Sequence, residues 1–385
     1  MVESSHTNPF RYGDLALDDA FTDREDETRE LKSDIRNGQN VVIFAPRRYG
    51  KSSLLWRATQ ELIADGEVLV AHVDLMSAPS KEKLAEKLAE SIYEDISSRL
   101  FRAREKAVEI FSNLRIRPTI TLDPRDGAIG FTFEATARAQ DTDDTLEKLL
   151  ELPAKLAADR KKQAALVIDE FQEILDIDPR LPTLMRSIFQ KQPEVSHVYL
   201  GSKRSMMERI FNDPNEPFWR SAKKMELGLI APDLFAPFIR HRFAGTGRGI
   251  DDRVVDDLLA MTHGHPYGTQ ELCYFLWEEV AEGAEAGEAS LDVAVTKVLR
   301  SENAHFSRIW TKAVPNHRLI FQALAEERVV RQITDAFRLK HGLPHDATVR
   351  KALRAMIDDE LVVHGDDGFR IAEPFFAEWI RRYQS

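Results

Sequence analysis

Gly50, Lys51 and Ser52 close an eight-residue segment whose spacing suits phosphate chemistry. Ala45-Pro46-Arg47-Arg48-Tyr49-Gly50-Lys51-Ser52 fits G-x-x-x-x-G-K-[ST] except at its first position. Gly50 lets the backbone come close to phosphates. Successive N–H groups and the start of the following helix present partial positive charge. Lys51 reaches the outer phosphates, and the Ser52 hydroxyl can ligate Mg²⁺. The expected ligand is a nucleoside triphosphate, ATP with Mg²⁺. Its candidate contacts are Ala45, Pro46, Arg47, Arg48, Tyr49, Gly50, Lys51, Ser52 and Ser53. Ala45 replaces the usual glycine. Pro46 pushes it toward an extended conformation, so a positive φ is not required there.

A second constellation lies downstream. Ala165-Leu166-Val167-Ile168-Asp169-Glu170 is an apolar run ending in two acids. An Asp at a strand end beside a phosphate loop can hold Mg²⁺ through a water. The next residue points elsewhere along the pleat, so Glu170 could polarise an attacking water as general base. An acid followed by Glu implies hydrolysis rather than binding alone. Ser202 ends a further apolar run. It could fix the water or the outer phosphate, or serve as a helix N-cap.

Positioning these groups requires a sheet. Asn40–Ala45, Val68–Leu75, Ala164–Asp169, His197–Ser202 and Lys224–Ile230 read as strands, and Lys51–Ala64 as an amphipathic helix. Strands alternating with helices imply a parallel sheet covered on both faces. Ligands of such sheets bind at the carboxyl ends of the strands, where the phosphate loop, the acid pair and Ser202 all fall. The 81–160 stretch reads as an insertion: a helix from about Lys81 to Ile110, then a β-hairpin around the turn signal at residues 123–127. Residues 231–315 read as a mostly helical lid, broken at Gly245–Gly249 and Gly264–Pro266. From Asn316, three short helices, a hairpin at Leu361–Ile371 and a closing helix suggest a winged helix-turn-helix. The expected fold is therefore α/β, a P-loop core over residues 1–230 followed by lid and winged helix.

Bulk properties narrow the class. With 385 residues, 43% hydrophobic and 30% charged, the chain has enough apolar content for packed domains rather than disorder. The single cysteine, Cys273, excludes an intrachain disulfide and lies in an apolar run, as a buried small hydrophobe would. No apolar stretch reaches the length of a membrane span, and the first residues lack a secretory pattern, so a cytoplasmic location is expected. A net charge of −11 argues against wholesale coating of nucleic acid.

The segments NPFRYG at 8–13, FTDRE at 21–25, APRRYGKSSLL at 45–55, LVIDEFQE at 166–173 and GHPY at 264–267 occur in that order. Together they resemble the archaeal-ATPase-like family of AAA+/STAND P-loop ATPases, from about Asn8 to the C-terminus. The resemblance implies a P-loop Lys and hydroxyl at Lys51 and Ser52. It implies the metal-associated acid at Asp169, the catalytic base at Glu170 and a first sensor at Ser202. Arg24 falls in the segment that packs near the nucleotide base. Gly264-His265-Pro266 resembles a lid motif whose Pro touches nucleotide. No sensor arginine is evident in the lid, which leaves lid sensing to His265, or leaves His265 as a satisfied helix-start histidine. Arg220 occupies a position where relatives place an arginine finger acting on a neighbouring subunit; the alternative is a surface basic residue in a run with Lys223 and Lys224.

The winged-helix segment carries Arg350, Lys351 and Arg354, with Arg350 and Arg354 on one helical face. From Asn316 to Ser385, however, 11 Lys/Arg face 11 Asp/Glu, without the net basic footprint usual for DNA binding. Two functions are therefore expected to compete. One is an ATP-hydrolysing switch whose nucleotide state controls contacts with a partner or within a homo-oligomer. The other is a nucleotide-gated DNA-binding protein acting through the winged helix. A small-molecule kinase is disfavoured because no acceptor-substrate motif is evident.

Overall fold

The computed structural model describes residues 7–13, 23–96, 111, 114, 119–122, 129–132, 139–365 and 367–384. The chain divides into two compact units. One is Arg24–Ala45 with Leu54–Leu227; the other is Met1–Asp23, Pro46–Ser53 and Gly228–Ser385.

The first unit is built on five parallel strands, β1 (Val41–Phe44), β2 (Val68–Asp74), β5 (Gln163–Asp169), β6 (Val195–Gly201) and β7 (Lys223–Glu226), in the order β2-β5-β6-β1-β7. Every residue of β1 and β6 is buried, as expected of inner parallel strands covered on both faces. Each expected strand is present. The last is shorter than expected: β7 stops at Glu226, and the Ile230 N–H instead bonds Gly264 O at 3.0 Å in the second unit. The antiparallel pair β3 (Thr119–Leu122) and β4 (Ile129–Thr132) forms the expected hairpin, whose turn lies outside the described residues. The helix expected from Lys81 is regular over α3, which ends at Ser91 and is followed by a π-turn to Ile96; residues 97–110 lie outside the described residues.

Helices flank the sheet: α1 (Glu25–Arg36), α2 (Lys51–Ala64), α3 (Lys81–Ser91), α4 (Ala139–Arg160), α5 (Leu181–Phe189) and α6 (Arg204–Asn212). A buried aromatic cluster fixes the turn after β5. Phe171 lies 4.7 Å from Tyr199 and 5.1 Å from Phe218, centroid to centroid. Edge and tilted aromatic packing of this kind adds to burial itself.

The second unit opens its helical part with α7 (Pro232–Ala244), α8 (Asp252–Thr262), α9 (Pro266–Glu278) and α10 (Glu288–Lys312), broken at the expected glycines. A two-residue bridge joins β8 (Gly249–Ile250) to β9 (Glu285–Ala286). The winged helix follows as α11 (Pro315–Glu327), α12 (Asp335–Lys340), α13 (Asp346–Asp358), β10 (Val362–Gly365), β11 (Gly368–Ile371) and α14 (Pro374–Tyr383). One continuous apolar core runs through these helices and includes the buried Cys273.

The N-terminal motif is pinned to this unit. The Asn8 side chain accepts from Phe10 N at 3.1 Å and donates to Tyr274 O at 3.0 Å. Phe10 then packs on Phe243 at 5.4 Å. Gly264 is required by geometry. Its φ is +69°, and a Cβ there would lie 1.9 Å from Ile230 O, closer than any side chain permits.

Among the described residues, no helix is long and apolar enough to cross a membrane.

Candidate functional site

β1 ends at Phe44, and the chain turns through residues 45–50 into α2. Ala45 is buried and is not among the residues with positive φ, so the missing glycine at this position costs nothing in backbone strain. Gly50 does have a positive φ, +85°. Arg48 also adopts a left-handed conformation, φ +64°, which non-glycine residues rarely take. Lys51 is buried, and its Nζ donates to Pro46 O at 2.9 Å, folding the ammonium across its own loop. Ser52 is exposed on the first turn of α2, whereas Ser53 is buried.

The loop's side chains are engaged within the second unit. The Arg48 guanidinium lies over the Tyr267 ring at 4.2 Å, and its Nη1 is 3.4 Å from Glu373 Oε2. The Arg47 Nε is 3.4 Å from Glu360 Oε2. The Tyr49 ring meets the His265 ring edge-on at 5.0 Å. His265 caps α9: its Nδ1 accepts from Gly268 N at 3.1 Å, and Pro266 takes the first helical position. Burial, with Arg48 and Arg370 nearby, pushes the His265 pKa down to about 3, so the ring is neutral and an acceptor. His265 is thus both a satisfied helix-start histidine and a direct neighbour of the loop.

Close by, Glu271 is buried, and its Oε1 has no hydrogen-bond partner. Burial pushes its pKa up to about 8, with Glu302 and Glu373 adding to the rise and Arg48 opposing it. Arg48, Glu271, Glu302 and Glu373 line one small cavity together with His265 and Tyr267.

In the first unit, Ala45, Asp169 and Ser202 lie at or just past the carboxyl ends of the adjacent strands β1, β5 and β6. That is the edge where open parallel sheets bind ligands. Glu170 leaves β5 in a left-handed conformation, φ +50°. Its N–H donates to Asp169 Oδ1 at 2.8 Å. Its Oε2 accepts from Ser202 Oγ at 2.8 Å, from Ser202 N at 3.3 Å and from Gln172 Nε2. Ser202 is therefore not the cap of the next helix. Lys203 occupies that position and makes no side-chain cap bond. Glu170 thus combines a left-handed backbone with a carboxylate oxygen that accepts from three donors.

Two partners of this cluster were not among the candidate site residues of the sequence. Gln172 is fully buried and reads as filler between Phe171 and Glu173. Asp74 pairs in register with Asp169 across β2 and β5, adding a further carboxylate at that edge. An apolar strand ending in Asp was the available signal for it.

The remaining candidates are placed separately. Arg24 is buried at the start of α1 in a left-handed conformation, its Nη1 2.8 Å from Glu27 Oε1. Arg220 is exposed, left-handed at φ +50°, with its guanidinium 5.0 Å from the Trp219 ring centroid. On α13, Arg350, Lys351 and Arg354 are all exposed, and Arg350 pairs with Asp346.

Comparison with known proteins agrees with this fold. The model of a family described as an ATPase domain predominantly from Archaea matches residues 21–221, and that of a probable winged helix domain matches residues 304–382. Among curated proteins, none matches the chain. Among solved structures, a Walker-type ATPase of Pyrococcus abyssi superposes with a TM-score of 0.62 at 18% identity, covering 95% of this chain and 97% of its own. The ORC2 protein of Aeropyrum pernix, in ADPNP and ADP complexes, superposes with a TM-score of 0.54 at 15% identity, covering 97% and 98%.

Proposed function

The chain belongs to the ATPase family found predominantly in Archaea, and from that premise we propose that it binds ATP with Mg²⁺ and hydrolyses it to ADP and phosphate. The nucleotide state then controls contacts with a partner or with other copies of the chain. The observation that carries hydrolysis, beyond binding, is the Glu170 carboxylate held by Ser202 and Gln172 at a strand's carboxyl end.

The loop would hold the phosphates. Backbone N–H groups around Gly50 and the first turn of α2 supply donors. The Lys51 ammonium exchanges the Pro46 carbonyl for phosphate oxygens, a stronger, charge-assisted bond. The Ser52 hydroxyl would ligate Mg²⁺, and the Asp169 carboxylate would hold it through a water, both being hard oxygen donors of the kind this ion takes. Among the described residues, no group of three or more His, Cys, Asp or Glu could by itself hold a metal ion. When bound, the ion neutralises charge on the phosphate oxygens.

Glu170 takes a proton from the attacking water as it approaches the outer phosphorus. Ser202 fixes the direction of that carboxylate through its hydroxyl and N–H, which makes it a positioning residue. Arg220, exposed on its turn, fits a finger reaching a neighbouring copy's nucleotide, where a guanidinium stabilises phosphoryl charge. Arg24 and His265-Pro266 would flank the nucleotide.

Phosphate release from ATP and Mg²⁺ tests the proposal. Wild type should turn over. Lys51→Ala should lose nucleotide affinity, and Glu170→Gln should keep affinity while losing turnover. Equal phosphate release from all three proteins would refute hydrolysis at this site.

A further inference from the structure

Arg47 and Arg48 lie inside the phosphate-binding segment, yet both are turned onto acids of the winged helix. Arg47 faces Glu360 and Arg48 faces Glu373, each at 3.4 Å. Glu360 lies between α13 and the hairpin, and Glu373 at the start of α14. Both pairs are longer than the roughly 2.7–2.9 Å of a tight charge-assisted bond. Arg48 is also in the left-handed conformation and stacked on Tyr267. A guanidinium accepts phosphate in the same forked geometry as carboxylate.

We propose that Arg47 and Arg48 are a nucleotide-operated latch on the winged helix: they hold Glu360 and Glu373, and they exchange these carboxylates for phosphate when a nucleoside triphosphate binds. The inference rests on the loop binding such a nucleotide, as proposed above, and adds how that event reaches the winged helix. Even with Mg²⁺ cancelling part of its charge, a triphosphate presents more negative charge and more forked oxygen pairs than a single carboxylate. Linkage makes the effect reciprocal. The acids that hold the arginines weaken nucleotide binding, and nucleotide loosens the region those acids anchor. The acids themselves never touch nucleotide.

The test uses the full chain, a fluorescent ATP analogue with Mg²⁺, and hydrogen exchange over residues 360–383. Glu373→Gln and Glu360→Gln keep side-chain size and remove the charge. Exposed pairs of this kind are worth about a two- to fivefold change in an equilibrium constant. Each variant should therefore bind the analogue about two- to fivefold more tightly than wild type, and the double variant more tightly still. Nucleotide should speed exchange over 360–383 in wild type and much less in the double variant. If wild type binds the analogue but exchange over 360–383 is unchanged and the variants match its affinity, the latch is wrong while nucleotide binding stands. If wild type binds no nucleotide, the functional reading fails and the latch fails with it.

Discussion

Replacing Glu271 with Gln should stabilise the lid and winged-helix unit, by an amount that grows with pH. Glu271 is 1% exposed, and its pKa is pushed from an ordinary value near 4.5 up to about 8. Between those two values the folded chain holds a proton that the unfolded chain has lost. Folded stability therefore falls as pH rises through the window from 4.5 to about 8, and below 4.5 the group imposes no cost. Each tenfold difference in proton affinity is about 1.4 kcal/mol, so the cost approaches roughly 3–5 kcal/mol at pH 8. His265 stays neutral above about 3, and burial holds the Tyr267 hydroxyl protonated. Arg48, Glu302 and Glu373 supply the charges that face it. Gln carries no proton to lose. For a unit of this size, a gain of that order corresponds to about 10 °C in melting temperature. Scanning calorimetry of the full chain at pH 5, 6, 7 and 8 and constant ionic strength measures it. The variant should match wild type within about 2 °C at pH 5 and exceed it by several degrees at pH 8. A difference between the two proteins that does not vary with pH would show that Glu271 ionises normally and refute the reasoning.

Ser202→Ala removes the 2.8 Å hydroxyl bond to Glu170 and leaves the loop untouched. A bond to a charged acceptor is worth about 1.5–3 kcal/mol, so turnover should fall about tenfold or more with nucleotide affinity unchanged. An affinity loss equal to the rate loss would instead place Ser202 on the nucleotide. For the winged helix, the exposed Arg350, Lys351 and Arg354 make duplex DNA the alternative ligand. If they contact phosphates, the triple Ala variant should flatten the slope of log affinity against log salt by about 2–3. Binding that is absent at low salt, with and without ATP, would remove that reading.

Much of the fold was legible because local pattern and tertiary role coincide. Lys51–Ala64 is helical as the spacing of Leu54, Leu55, Ala58, Leu62 and Ile63 requires, and the first four are buried, while Ile63 near the helix end is 43% exposed. The strands β1, β2, β5 and β6 announced themselves by apolar runs, and the helix breaks near Gly245 and Gly264 by their glycines, whereas β7, Lys-Lys-Met-Glu, falls earlier than the apolar residues that suggested it. Other elements were hidden. α1 buries only Thr28, Leu31 and Ile35 in a sequence otherwise dominated by charge. α4 runs for 22 residues with Pro153 inside it, where a helix would be expected to break. The strand order, which places β1 between β6 and β7, is a long-range property that no window of sequence carries. The same holds for the site. Glycine, lysine and paired acids mark themselves by type and spacing. Arg48 and Glu373 are separated by 325 residues, and Glu170 and Ser202 by 32, so only the folded chain reveals them as partners.

The edge of the sheet at β7 bears on how copies of this chain can meet. β7 has four residues, and three of them, Lys223, Lys224 and Glu226, are exposed. Lys223 is also tied to Glu30 and Asp34 at 2.9 and 2.8 Å. A brief strand crowded by solvated lysines is a poor template for a further strand, because pairing would strip water from fixed charges. Growth by stacking strand upon strand is blocked at that border. Another copy of the chain meeting this border would do so through side chains rather than through backbone pairing.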